Sequence, residues 1–212
     1  SGAGVAESRQ YFSDHAHFMY SIGVDFLRVD NAKFTADGSP PERGLPVYAY
    51  WGNKLKVYAP DLYSFGEAPA GPGDLSGYCS DGNRLSGMKD FPNVNGGGLR
   101  DWANPNNGGG SGNSFKGVFE ANYTEYNRNG TPVMTNYYEN HDHDRAYHYI
   151  GDNMAWNGSV GAMQIIMLWS GCAPGVPEIF YGDELVMMGK RGQTYPDWQA
   201  TGELSTFGTT RR

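Results

Sequence analysis

Short apolar runs that resemble buried strands recur along this chain, and carboxylate side chains stand at or just after the ends of four of them. The runs and their carboxylates are residues 24–30 with Asp30, 62–67 with Glu67, 132–138 with Asp142, and 176–181 with Asp183 and Glu184. An apolar run of this length is typical of a parallel strand that is buried on both faces. We therefore expect parallel strands whose C-terminal tips carry the polar chemistry.

Helical patterns separate these runs. Residues 5–22 carry apolar side chains at every third or fourth position, which predicts an amphipathic helix. A short helix is predicted over residues 50–58. Residues 159–169 are apolar almost all round, which predicts a buried helix. A further strand is predicted over residues 85–91. This alternation predicts an α/β fold in which helices connect parallel strands. In a (β/α)8 barrel the C-terminal strand tips converge on one site, so the carboxylates would meet in space.

Glycine and asparagine dominate residues 93–117, which we interpret as an elaborated surface loop rather than a domain boundary. Residues 31–46 are also predicted to be a loop. No complete core could form on either side of the Gly-rich stretch alone. One domain with long loops is therefore expected.

The net charge of −7 argues against a nucleic-acid partner, because such binding depends on Lys and Arg that neutralise phosphates. It also argues against an anionic membrane surface. No apolar run approaches the roughly 20 residues of a membrane span. The composition fits a neutral substrate, and aromatic residues at 14% are numerous enough to stack on sugar rings.

Arg28 and Asp30 lie two residues apart on one predicted strand, so both side chains point to the same face. A neighbouring cation favours the ionised form of a carboxylate. Taken alone, this spacing is more often that of a structural ion pair. A lone Glu67 would be a solvated charge at a strand end. Four sequence motifs that follow one another along the chain favour a catalytic role over these structural ones.

Four segments resemble, in order, the fourth, fifth, seventh and eighth strand motifs of glycoside hydrolase family 13, the α-amylase family. They are GVDFLRVDNAK at residues 23–33, FGEA at 65–68, NHD at 140–142 and PGVPEIFYGDE at 174–184. The resemblance implies a partial TIM barrel made of strands four to eight. Residues 1–212 would then be the C-terminal part of a single catalytic domain, truncated at both ends.

The same resemblance implies a role for each candidate residue. Asp30 is similar to the nucleophile, Glu67 to the general acid/base, and Asp142 to the carboxylate that grips substrate hydroxyls. The implied substrate-binding residues are Arg28, Lys33 and His141. Asp183 and Glu184 are expected to buttress the barrel end rather than take part in chemistry.

The chain departs from the family pattern at two places. Phe34 stands where many members carry His, which affects the expected acceptor side of the site. The motif of the third strand is absent, and Arg211-Arg212 resembles the start of a stretch that continues further in the family. We therefore expect the 212 residues alone to have poor activity and a tendency to aggregate.

The implied activity is retaining hydrolysis of α-1,4-linked glucans such as starch or maltodextrin. The same residues would serve a transglycosylase, a sucrose-acting enzyme or an α-1,6 debranching enzyme, and an inert glucan-binding remnant is the alternative from another class. Calcium often supports barrels of this family, but no site for it is assigned here and no other cofactor is expected. Action on a polymer suggests secretion, and the oligomeric state stays open.

Overall fold

The computed structural model describes residues 2–34, 45–79, 84–94, 99, 112–127, 133–142, 145, 167–168 and 170–183. The glycine runs at 96–98 and 106–110, most of the predicted helix 159–169, Glu184 and Arg211-Arg212 lie outside them. The chain divides into two compact units, formed by residues 1–92 with 120–135 and by residues 93–119 with 136–212.

The first unit is built on a three-stranded parallel sheet in the order β1-β2-β3. Its strands are β1 (Phe26–Val29), β2 (Tyr63–Gly66) and β3 (Gly87–Met88). Phe26 pairs with Tyr63, and Phe65 pairs with Gly87. Helices α1 (Gly2–Ser21), α2 (Leu45–Tyr58) and α3 (Pro72–Cys79) accompany the strands. The predicted α/β class, with parallel strands joined through helices, is confirmed.

Helix α1 ends where the sequence predicts, at a glycine. Gly23 adopts the left-handed backbone conformation with φ of 93°, which glycine tolerates without steric cost. Its N–H donates to the carbonyl of Tyr20 at 3.0 Å, and the N–H of Val24 donates to that of Met19 at 3.1 Å. These bonds satisfy carbonyls at the helix end and turn the chain into β1.

Two apolar clusters hold the first unit together. The larger one joins α2 and α3 to the sheet through fully buried side chains such as Leu75, Leu85 and Met88. The smaller one packs α1 on α2 around Ala16 and Leu55. Because the helices cover one face of the sheet, the strand tips remain available for polar side chains.

In the second unit, Asn136 anchors the backbone around it. Its strand β4 (Thr135–Asn136) forms a two-stranded sheet with β5 (Val176–Pro177). The Asn136 side chain donates to the carbonyls of Ala173 and Pro174 at 3.1 and 2.9 Å. The N–H of Glu178 donates to the Asn136 carbonyl at 2.7 Å. One buried side chain therefore secures the chain at the start of β5.

Several boundaries differ from the sequence prediction. Helix α2 begins at Leu45 rather than residue 50, with Pro46 in its first turn, where proline is tolerated. The strand predicted over 85–91 is only two residues long, because Phe91 already begins the short helix α4 (Phe91–Val94). The run 176–181 likewise forms only the two-residue strand β5. Residues 167–168 and 170–172 are helical, so Gly171 lies within helical structure.

The loop predicted over residues 93–117 is wrong from Gly112 onward. Helix α5 (Gly112–Tyr126) starts there, and its Gly content does not prevent it. Phe115, Asn122 and Tyr126 recur at helical spacing and are buried. Packing of these side chains outweighs a glycine cost of about 1 kcal/mol per position, so tertiary context overrides local propensity. Helix α3, also Gly-rich, was not predicted for the same reason.

Gly87 provides a test of the strand packing. A Cβ at this position would overlap the backbone carbonyl oxygen of Val133, which cannot move without breaking the local pairing. We expect Gly87→Ala to lower the free energy of unfolding by about 3 kcal/mol or more. Gly77→Ala, in helix α3 with open space around the new methyl, should be neutral or raise it by up to about 1 kcal/mol. Equal denaturant midpoints for the two variants would contradict the close approach.

Large apolar side chains of α1 and β1 face solvent, although no described helix is long and apolar enough to cross a membrane. Tyr11, Phe18, Ile22 and Phe26 are each more than half exposed. Tyr11, Phe18 and Ile22 follow a spacing of seven and four residues, so they form one stripe along the helix. Such a stripe is typical of a surface that another polypeptide covers.

We therefore expect the isolated chain to self-associate as its concentration rises. Phe18→Glu with Ile22→Lys should shift sedimentation toward the monomer, because both changes place charge in the stripe. The matched control is Val57→Lys, which changes an exposed apolar residue of α2 outside the stripe. A chain that stays monomeric at all concentrations would contradict the expectation.

Candidate active site

The backbone pairing of β1 and β2 brings Asp30 and Glu67 to adjacent strand tips. Val29 pairs with Gly66, and the N–H of Glu67 donates to the Val29 carbonyl at 2.9 Å. Because parallel strands keep their register, the next residue on each strand lies beside its counterpart. Two carboxylates that are 37 positions apart in sequence are therefore neighbours.

A sharp turn after Asp30 fixes the tip of β1. Asn31 has a φ of 47°, a left-handed conformation that asparagine adopts more readily than most residues. The N–H of Ala32 then donates to the Glu67 carbonyl at 2.7 Å, and the Tyr48 hydroxyl donates to the Ala32 carbonyl at 3.1 Å. The turn is thus bonded to both β2 and α2, which restrains the backbone on either side of the two carboxylates.

Arg28 links the two carboxylates directly. Its Nη2 lies 2.9 Å from Oδ1 of Asp30, and the same nitrogen donates a short hydrogen bond to Oε2 of Glu67. Two oxygens bonded to one nitrogen can be separated by at most about 6 Å, the sum of two hydrogen-bond lengths. The predicted contact between Arg28 and Asp30 is present. The contact with Glu67 was not predicted, because spacing within one strand carries no information about its neighbour.

The two carboxylates differ in exposure. The Glu67 side chain is 8% exposed, whereas that of Asp30 is 66% exposed. Glu67 is therefore removed from bulk water and held by a cation, while Asp30 is open to an incoming molecule. This asymmetry suits a pair of carboxylates that perform different tasks at one site.

A cavity of about 390 Å³ adjoins Arg28 and Asp30, and its volume lies within the range of small-molecule sites. Arg28 and Asp30 line it together with side chains of α1 and α2, including Phe12, Tyr48 and Trp51. Lys33 follows Asp30 in a short 3₁₀ helix (Ala32–Phe34), and its Nζ lies 3.4 Å from the Pro69 carbonyl just beyond Glu67. Lys33 therefore lies at the same strand edge as the two carboxylates. The side chain of Phe34 lies outside the described part.

The other two predicted site residues, His141 and Asp142, belong to the second unit. Nε2 of His141 lies 3.3 Å from Oδ2 of Asp142, and both side chains are more than a third exposed. The N–H of Asp142 donates to the Asn140 side chain at 3.0 Å, forming a local turn. The pairing of His141 with Asp142 agrees with the prediction, and the turn presents both at the surface of the unit.

A buried arginine, Arg145, lies close to this turn in sequence and was missed by sequence reasoning. Its Nη1 contacts Oε1 of Glu139 at 2.5 Å and Oδ1 of Asp183 at 3.4 Å, and its Nη2 donates to the Tyr181 carbonyl at 2.7 Å. Its guanidinium also stacks over the rings of Phe180 and Tyr181 at 4.3 and 4.7 Å. Asp183 thus has the structural setting that was expected of it. The available signal in the sequence was an arginine at the third position after the NHD segment, following a stretch of acidic residues and histidines.

Burial raises the pKa of Asp183 to about 8, and its hydrogen bond with Glu139 adds to the shift. The N–H of Phe180, which donates to Asp183 at 2.7 Å, acts in the opposite direction. Glu139 and Asp183 face one cation, Arg145, and the phenol of Tyr138 lies beside them. Because one cation faces two buried carboxylates, the raised pKa of Asp183 keeps a proton on that carboxyl group.

This proton predicts how stability depends on pH. The folded-state pKa of about 8 exceeds the unfolded value of about 3.9, so the folded chain binds the proton more tightly. Stability contributed by this proton is complete below about pH 4 and is lost as the pH rises to about 8. One proton gives a slope of at most about 1.4 kcal/mol per pH unit.

Asp183→Asn should flatten this slope in urea titrations recorded at several pH values, because the amide cannot titrate. Asp61→Asn, which changes an exposed carboxylate, is the control and should leave the slope unchanged. A slope that survives Asp183→Asn would assign the proton to another group.

Among the residues that the structure describes, no group of three or more His, Cys, Asp or Glu side chains is arranged to hold an ion.

Solved structures with the same fold were found, although no protein-family model and no curated protein matches the chain. Amy13B of Eubacterium rectale has a TM-score of 0.73 at 17% identity, with coverage of 86% of this chain and 34% of that one. The α-amylase of Geobacillus thermoleovorans in complex with acarbose has a TM-score of 0.69 at 20% identity, covering 96% and 44%. The debranching enzyme of Nostoc punctiforme has a TM-score of 0.70 at 19% identity, covering 96% and 41%.

These likenesses confirm, at the level of fold, the resemblance to the α-amylase family that the strand motifs indicated. This chain spans less than half of each of the three structures. At these low identities the likenesses show the fold alone, and the chemistry of this chain depends on its own residues.

Proposed function

We propose that this chain is the C-terminal part of the (β/α)8 catalytic domain of a retaining glycoside hydrolase of the α-amylase family. It would contribute strands four to eight and act on α-1,4-glucosidic bonds of starch or maltodextrin. The observation that carries the proposal is the contact of one guanidinium nitrogen, Nη2 of Arg28, with both Asp30 and Glu67.

This contact supports retention of configuration. Retaining glycosidases hold their two carboxyl groups about 5–5.5 Å apart, whereas inverting enzymes need about 6.5–9.5 Å to admit a water molecule. The shared nitrogen limits the contacting oxygens to about 6 Å. This limit is compatible with the spacing of a retaining enzyme, in which a carboxylate attacks directly.

The roles follow from the different environments of the two carboxylates. Asp30, whose carboxylate is exposed at the end of β1 and lies next to Arg28, attacks the anomeric carbon and forms an ester. Glu67 gives its proton to the departing glycosidic oxygen as the carbon–oxygen bond breaks. In the second step Glu67 takes a proton from water as the water oxygen bonds to the anomeric carbon. The bond between that carbon and the Asp30 carboxylate breaks, which releases the sugar and the free carboxylate.

The remaining predicted residues would bind substrate. Asp142 and His141, paired at the surface of the second unit, are suited to grip sugar hydroxyls, and Lys33 lies near Glu67 on the leaving-group side. The G. thermoleovorans α-amylase, solved with acarbose, supports an oligosaccharide as the ligand class.

Since a polymeric substrate does not enter cells readily, we also propose an extracellular location.

The test requires a polypeptide in which this chain is joined to the upstream strands of the barrel. We expect release of reducing ends from soluble starch, and a loss of about 10²–10⁴ in rate for Glu67→Gln because general acid–base help is removed. Asp30→Asn should lose at least as much, since no ester can form. The expected product retains the α configuration, which NMR of the fresh hydrolysate detects.

Asp25→Asn is the matched control, because this exposed carboxylate lies at the opposite end of the same strand. It should leave the rate near that of the parent. Starch hydrolysis that survives Asp30→Asn or Glu67→Gln would overturn the assigned roles, and an inverted product would overturn the retaining mechanism.

A second candidate is α-1,6 debranching, which the likeness to the N. punctiforme debranching enzyme favours. The same two carboxylates would serve it, so the distinction lies in the substrate. Release from pullulan without release from linear maltodextrin would select debranching over α-1,4 hydrolysis.

A further inference from the structure

Arg145 occupies a site that is built around its guanidinium. The residue is 8% exposed, and its contacts are two carboxylates, one backbone carbonyl and two aromatic faces. A planar guanidinium can serve all of these at once, whereas an ammonium could not. An arginine with so many specific partners is held in one orientation.

These partners come from two stretches of chain. Glu139 follows β4, whereas Phe180, Tyr181 and Asp183 follow β5. Arg145 therefore joins the segment after β4 to the segment after β5 at the point where both leave the sheet. Asp183 also receives the Phe180 N–H at 2.7 Å, which holds the second segment in a turn.

The segment from residue 139 to residue 145 is closed at its base by the ion pair of Glu139 and Arg145. Asp142 lies at the midpoint, three residues from each. Residues 134–140 are all buried, and exposure begins at His141. The buried part of the segment thus ends at Asn140, directly before the candidate binding residues His141 and Asp142. The ion pair behind them limits the positions that the Asp142 carboxylate can reach.

We propose that Arg145 is the positioning residue for Asp142: by bridging Glu139 and Asp183 it closes the loop that presents Asp142 to the substrate. The assignment of substrate contact to Asp142 rests on the proposed function. The closure of the loop by Arg145 is a separate structural statement, and it can be tested without any activity.

The first measurement is amide hydrogen exchange in the 212-residue chain, kept dilute. The reporter is the Asp142 N–H, which donates to Asn140, and the reference is the Asp90 N–H, which donates to the Thr135 carbonyl. In Arg145→Met we expect Asp142 to exchange about tenfold faster or more, relative to Asp90, because the loop opens locally. Arg145→Lys keeps the charge and should recover only part of the protection.

Arg84→Met is the matched control. Arg84 is a partly buried arginine of the first unit that donates to the backbone carbonyl of Gly77, and its loss should not change exchange at Asp142. If Arg145→Met does not fold, the comparison moves to Arg145→Lys and to Glu139→Gln, which removes one carboxylate contact while keeping a side chain of the same size. Unchanged Asp142 exchange in a folded variant would overturn the proposal, as would acceleration of Asp90 to the same extent.

The second measurement is a double-mutant cycle in the complete barrel. If Arg145 acts through Asp142, Arg145→Met should lower kcat/KM by about tenfold or more alone, yet have little further effect in the Asp142→Asn background. Losses that multiply would show that Arg145 acts by another route and overturn the positioning role. If the parent polypeptide has no activity at all, the proposed function fails, and hydrogen exchange still decides whether Arg145 closes the loop.

Discussion

Two ionised carboxylates at one sheet edge repel each other, and Arg28 supplies a cation that compensates this repulsion. The parallel register of β1 and β2 makes Asp30 and Glu67 neighbours, whose like charges would otherwise repel. Arg28 lies two residues before Asp30, on the same face of the strand, so its guanidinium reaches both. The turn at Asn31 depends on this arrangement too, since it returns the chain to the Glu67 carbonyl. The geometry of the candidate site therefore follows from one strand pairing and one cation.

The second unit uses an arginine between two carboxylates as well, but in the opposite environment. The Arg28 side chain is 30% exposed and contacts one open and one buried carboxylate, while the Arg145 side chain is 10% exposed and contacts two buried ones. Burial removes the solvent that would stabilise a second negative charge, so the sealed pair retains a proton and the open pair is free to meet a ligand. The same residue types thus support chemistry at one strand tip and rigidity at another, and the degree of burial decides which.

The sequence was informative wherever the decisive contact is local. Arg28 and Asp30 could be paired because the strand period of two puts them on one face, and Gly23 ended α1 as expected. Contacts between separate strands could not be read in this way: the Arg28–Glu67 bond needs the register, and the Arg145 cluster needs β4 and β5 side by side. Helices α3 and α5 escaped prediction because their glycines reduce the local signal, whereas buried side chains such as Leu75 and Phe115 stabilise them in the fold.

Differences in rigidity between the two candidate carboxylate sites have a mechanistic consequence. In the proposed mechanism Asp30 must keep its alignment with the anomeric carbon through bond breaking, and backbone bonds from Ala32 and Glu67 restrain the β1 tip that carries it. A carboxylate that only grips hydroxyls can sit on a loop, provided that the loop is closed at its base. Asp142 has that setting: its own N–H bonds to Asn140, and the Glu139–Arg145 pair closes the segment behind it. The buried Glu139–Arg145 pair therefore restrains Asp142, as the hydrogen-bonded strand tip restrains Asp30.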